Sequence, residues 1–230
     1  KALCAARRFE QVAICISVEL VLGRIAIMRG DVDGYFKAVK NIQSYSEVNP
    51  SLYVLHMIEY CMSVLSLVLG VKDYVSPWLY DMQSIREAVY APVIPYAQML
   101  HLKLLLMDKR YNEFYGICQY TLDISQKSTG NIKYMLLRVY RLLLLSTAER
   151  DNGKYSESVQ HIREALNMAL PDKVYLPFAQ QEGMDEILTE IEILSEAADF
   201  SDIKEFCIRQ QNGVRAIRKI LRKAKSPLAP

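Results

Sequence analysis

The chain predicts an all-α fold, a right-handed superhelical array of antiparallel helix pairs, and three observations carry that expectation. Four times a long apolar helical pattern runs into a short polar turn and then a tyrosine: Gly30–Tyr35, Gly70–Tyr74, Met107–Tyr111 and Asn152–Tyr155. Those tyrosines stand 39, 37 and 44 residues apart. Apolar and polar residues never alternate for more than a few positions, so no strand competes with the helical reading. A helical unit recurring about every 40 residues marks a solenoid, in which each pair buries its apolar face only against its neighbours. Helix should then exceed about 65% of the chain, twice the usual globular share.

Taken in order, the elements have local reasons. In the first pair Leu22, Ile25 and Ala26 line one helix face, Tyr35 follows the turn, and Ala38, Ile42 and Tyr45 line the second helix until Asn49-Pro50 ends it. Ala91-Pro92 and Ile94-Pro95 bracket the start of the third pair, and Ser128-Thr129-Gly130-Asn131 opens the fourth. There Leu142, Leu145 and Ser146 precede Gly153 and Tyr155, then Ser158, Ile162 and Ala165 follow, and Leu170-Pro171-Asp172 closes the pair. Small residues at Ala26 and Ser146, and again at Ala38 and Ser158, let paired helices approach closely. Tyr35, Tyr74, Tyr111 and Tyr155 are expected to pack between helices.

These offsets resemble the tetratricopeptide repeat. The middle pairs depart from it, with Leu65 and Leu102 at the close-approach positions of the first helices and Pro77 and Phe114 in the second. Larger residues there should splay the pairs or shift their register, so the units read as tetratricopeptide-like. The resulting division is residues 1–170 as four such pairs, 171–225 as C-terminal capping helices, and 226–230 as a linker-like tail.

Composition bounds the rest. With 230 residues, 51% of them hydrophobic and 23% charged, the chain can bury a sizeable core. Five cysteines (Cys4, Cys15, Cys61, Cys118, Cys207) share no metal-binding or framework spacing, which suits a reducing compartment. Three scattered histidines (His56, His101, His161) offer no convergent zinc set, so neither a metal nor a cofactor is expected. The longest nearly uncharged apolar stretch, Cys61 to Val71, falls short of the roughly 20 residues a membrane helix needs. The N-terminus has no signal-peptide shape, because Arg7, Arg8, Glu10 and Gln11 interrupt it. A cytoplasmic protein without a membrane partner is the expectation.

The net charge of +2 hides an asymmetry. Eight acids and no Lys or Arg lie between Val174 and Ile203, whereas Lys204 to Lys225 holds eight bases and one acid, Glu205. An acidic and a basic helix that pair with each other account for this. A second reading places the basic stretch beside nucleic acid in a longer protein. Few aromatic residues interleave with the bases, so it does not read as a nucleic-acid platform by itself. This asymmetry and the Lys at position 1 suggest a piece of something larger.

The run from Glu164 to Leu188 carries a more specific likeness. A helix ends in a small-polar turn; Tyr175 and the Pro177-Phe178 pair follow, and Glu182-Gly183 opens the next helix towards Leu188. This resembles the end of the sensor region of MalT-like, LuxR-type transcriptional regulators, with Leu176 where an arginine is common. The resemblance implies an effector-sensing helical-repeat domain that sits between a nucleotide-binding switch and a C-terminal helix-turn-helix. Neither neighbour is expected within these residues: no GxxxxGK[ST] loop occurs, and a linker-like tail, Lys225-Ser226-Pro227-Leu228-Ala229-Pro230, follows the basic stretch. DNA would be a partner only through that absent module.

No catalytic constellation is legible, and an enzyme is not expected. Glu190 and Glu192 fall on opposite sides of a helix, Asp185 and Glu186 do not converge, and no serine sits in a GxSxG elbow. Cys118 and His101 fall at apolar-stripe offsets that suit the core. If the array is concave, its inner wall projects Glu59, Met62 and Ser66 from the second pair, Tyr96, Met99 and Lys103 from the third, and Tyr140, Leu143 and Thr147 from the fourth. This mixture suits a small-molecule effector or an extended peptide. Ordinary surface residues are the competing reading of the same set. A freestanding tetratricopeptide-like adaptor with a peptide in that groove is the alternative to a regulator, and exposed apolar ends would suit a homodimer.

Overall fold

Helical periodicity without alternation gives helix throughout. The computed structural model describes residues 11–126, 132–194 and 200–225; it is 81% helix, with eleven α-helices and no strand among the described residues. The expected turn at Ser128–Asn131, the tail at 226–230 and Cys4 lie outside those residues. The chain forms two compact units, one of Lys1–Ile94 with Arg209–Pro230 and one of Pro95–Ile208.

In the first unit α1 (Val12–Arg29) and α2 (Val32–Val48) form the first pair. Gly30 adopts the left-handed conformation that ends α1, and the Asp31 N–H reaches back to the Ala26 carbonyl at 2.9 Å. Asp31 then caps α2 by accepting from the Gly34 N–H at 2.9 Å. Helix end and helix start thus occupy adjacent residues. Ala26, Ala38 and Tyr35 are buried as the repeat offsets require. Leu22, by contrast, is 43% exposed and Ile25 half-buried, because the inward face of α1 is Cys15, Ile16, Glu19, Gly23, Ala26 and Ile27. An α-helix that is apolar on every side gives its period no direction to point.

α3 (Leu52–Val68) packs against both. The expected partner helix after Gly70 does not form. Tyr74 is 50% exposed rather than packed between helices; the chain turns at Asp73–Tyr74, is extended at Ser76, and leads into a 3-10 turn at Pro77–Tyr80 and a short α4 (Met82–Ala88). Pro77 is the cause, since a residue preceding proline is driven out of the helical region, and Ser76 sits at φ −68°, ψ 140°. The hydroxyl of Ser63 fixes the extended stretch by accepting the Ser76 N–H at 3.1 Å.

The remaining part of this unit comes from the C-terminal end of α11 (Ser201–Lys225). Ile217 joins Ile16, Ile27, Ile42, Leu65 and Leu69 in one core. Arg218 donates from Nε to the Leu69 carbonyl, placing a cation at the C-terminal end of α3, where the helix dipole favours it. The basic helix therefore contributes Ile217 to the core built by α1, α2 and α3.

The second unit holds α5 (Ile94–Met107) and α6 (Tyr111–Gln126), then α7 (Ile132–Asp151) and α8 (Tyr155–Ala169), a single turn α9 (Leu176–Ala179), α10 (Met184–Leu194) and residues 201–208 of α11. Lys109 occupies the left-handed position between α5 and α6 that Gly153 fills between α7 and α8. Tyr111 is half-buried and donates to Asp151 at 3.2 Å, while Tyr155 is 67% exposed, so of the four turn tyrosines only Tyr35 is buried.

Between α7 and α8 the two serines expected at close approach meet, Ser146 Oγ to Ser158 Oγ at 2.8 Å, in a buried setting. Ser146→Ala should cost about 1–2 kcal/mol because it strands the other hydroxyl, whereas the double alanine variant should be nearly neutral. Urea denaturation of the two single variants and the double variant checks this coupling.

Phe178 sits at the centre of the largest core with Leu142, Leu143, Ile162, Leu166, Leu188 and Ile203. Glu192 of α10 pairs with Lys204 of α11 and also accepts the Phe200 N–H at 2.7 Å. The acidic and basic stretches therefore meet there.

Candidate recognition site

Of the nine residues projected onto an inner wall, Met62, Ser66 and Leu143 are buried. Met62 belongs to the core of the first unit and Leu143 to that of the second. These three are corrections to the expected groove. The reason is physical: α3 is apolar on nearly every side from Cys61 to Leu67, and packing against α1 and α2 together with the Ser63–Ser76 link leaves no free face at Met62 or Ser66.

The other six are half-buried. Thr147 turns its hydroxyl to the Leu143 carbonyl of its own helix at 3.0 Å. Met99 packs on the core formed by α5, α6 and α7. Burial raises the phenol pKa of Tyr96. Glu59 lies in the first unit and accepts a hydrogen bond from the indole N–H of Trp78 at 2.6 Å.

Two of the six converge in the second unit. Lys103 of α5 donates from Nζ to the Gln180 carbonyl at 3.5 Å, and Tyr140 of α7 donates to Gln180 Oε1 at 2.9 Å. One glutamine therefore draws together side chains from helices that stand 37 residues apart in sequence. Gln180 was not among the expected residues. It is placed by the fold of its own segment: the buried Pro177-Phe178 pair anchors α9, and buried Gln181 closes the turn by donating to the Pro177 carbonyl at 3.4 Å. An amide, an ammonium and a phenol on one half-buried surface can donate and accept together, the chemistry that orients a polar ligand.

Burial pushes the thiols of Cys61, Cys118 and Cys207 up to about 12, which keeps them protonated at neutral pH. His101 is buried beside the core residues Leu102 and Leu105 of its own helix. No three His, Cys, Asp or Glu side chains gather as a metal site among the described residues, and no helix there is long and apolar enough to cross a membrane. No protein-family model, curated protein or solved structure matches this chain.

Proposed function

We propose that the chain is a recognition module: the effector-sensing, tetratricopeptide-like helical-repeat region of a MalT-like, LuxR-type transcriptional regulator. Its ligand is a small polar molecule or a short peptide, held where Lys103 and Tyr140 meet at Gln180. The convergence of those three residues is the single observation that carries the reading, because it joins side chains of the third and fourth pairs to the segment that carries the family likeness. The right-handed superhelical stacking of the pairs belongs to the same proposal. In this arrangement binding acts by favouring one packing of adjacent pairs over another. Contact with DNA falls to a helix-turn-helix module outside these residues, and the chain is cytoplasmic and not an enzyme.

Translation of the gene beyond Pro230 tests the regulator part. A helix-turn-helix within the next hundred or so residues is the expected result, about the length of one small domain. A stop codon at that point would favour a freestanding adaptor instead.

A further inference from the structure

A second polar surface lies in the first compact unit, away from Gln180 in sequence and in element. Along α3, Tyr53, His56 and Glu59 recur at three-residue intervals and so share one face. The segment after the 3-10 turn lies over that face. His56 Nδ1 is 2.8 Å from the Ala88 carbonyl, so that nitrogen carries the proton and donates. Trp78 donates to Glu59, the Trp78 and His56 rings stand 6.1 Å apart, and the Tyr53 and Tyr90 rings 6.0 Å apart.

The result is two pairs of aromatic rings along α3, with one carboxylate beside the His56–Trp78 pair. Both tyrosines are exposed, at 47% and 48%, and Trp78 is half-buried. A packing role alone would not leave two large rings in water side by side. Glu59 forms no ion pair among the described residues, and the one hydrogen bond to its carboxylate there comes from the neutral indole. A half-buried carboxylate beside aromatic rings, with no cation of its own, is a receptor for a positive group.

We infer that the Tyr53–His56–Glu59–Trp78–Tyr90 surface binds an organic cation, a guanidinium or alkylated ammonium group. The rings supply cation–π attraction through their electron-rich faces, and the free lone pairs of Glu59 supply a charge-assisted hydrogen bond where the cation carries N–H. Trp78 is held at the carboxylate by its own N–H, so its ring is oriented before the ligand arrives. That reduces the ordering cost of binding.

The chain's one tryptophan is Trp78, so intrinsic fluorescence reports this surface directly. Titration with N-acetylarginine amide and with tetramethylammonium, at constant ionic strength, should give a saturable change. N-acetylcitrulline amide, the neutral isostere, should give none. Glu59→Gln retains an acceptor for the indole and so keeps the fold, which circular dichroism verifies; it should weaken cation binding about tenfold or more. Saturation by arginine amide alone would assign a guanidinium site, and by tetramethylammonium alone a ring-face site for ammonium. Equal responses to arginine and citrulline amides, undiminished affinity in Glu59→Gln, or no saturable response to either cation would each overturn the proposal. Failure here would leave the Gln180 site untouched, since the two share no residue.

Discussion

Gly213→Ala should lower the stability of the chain by about 2–3 kcal/mol, the upper end of the range for overpacking. Intrinsic propensity argues the other way, because alanine in a helix interior is favoured over glycine by about 1 kcal/mol. Sterics decides the sign. α11 crosses the end of α1 so closely that a Cβ at position 213 would overlap the Ile27 carbonyl oxygen, with the Ile27 carbonyl carbon 3.0 Å away and Gly30 N 3.1 Å away. All three are backbone atoms of a capped helix end and cannot swing aside as a side chain would. Gly30 is in turn fixed at φ 66°, where a side chain is strained. At roughly 2–4 °C per kcal/mol for a chain of this size, the midpoint of thermal unfolding should fall by about 5–10 °C. Gly116→Ala is the internal control: nothing lies within 4 Å of a Cβ there, in the exposed face of α6, so the same substitution should raise stability by about 0.5–1 kcal/mol. Two glycine-to-alanine changes of opposite sign, read by urea denaturation, separate close approach from propensity.

Phe178→Ala should cost about 3–5 kcal/mol, the range for emptying a large aromatic site in a core. The ring is fully buried among residues of α7, α8, α10 and α11, and four residues of helix around it cannot collapse into the space left behind. The loss should reach the recognition site as well. Gln180 follows Phe178 by two positions, so loosening α9 releases the backbone carbonyl that Lys103 holds and the side-chain amide that Tyr140 holds. Phe178→Leu keeps most of the volume and should cost less than half as much. Thermal unfolding gives the stability terms of both variants. If Phe178→Ala unfolded within 1 °C of the parent, the proposed anchoring of α9 would be wrong.

Local signals in the sequence were legible where one residue type answers one geometric need. Gly30-Asp31 serves as stop and start, Asn49-Pro50 and Leu170-Pro171 end helices at Val48 and Ala169, and Ser146 with Ser158 marks a close crossing. Faces were harder to read. α3 is apolar on nearly all sides from Cys61 to Leu67 and α7 is buried continuously from Arg141 to Leu144, so periodicity places Met62, Ser66 and Leu143 on an inner wall that packing has covered. Pro77 falls inside a helix by spacing, yet it drives Ser76 before it out of the helical region and can only open the 3-10 turn. The tyrosines after the turns looked equivalent by spacing, yet exposure separates Tyr155 from Tyr35, because a turn fixes the backbone and leaves the next side chain to whatever packs above it.

Longer-range pairing left almost no trace. Nothing in helical period tells that residues 209–225 join the core of the first pair, although a glycine within a long charged helix, Gly213, is the kind of residue that marks close contact. Gln180 carried no signal at all in the sequence; a glutamine in a turn is ordinary until Lys103 and Tyr140 are seen to reach it.

Hydrogen exchange with and without bound ligand tests the recognition proposal most directly. A panel of small polar compounds and short peptides is first screened for thermal stabilisation of the chain, and each stabilising compound is then followed by mass spectrometry. The account predicts slowed exchange in residues 94–107, 135–151 and 176–181, lost together with the stabilisation in Lys103→Ala and Tyr140→Phe. Ligands that protect only other segments, that stabilise both variants as well as the parent, or that are chemically converted on incubation would contradict it.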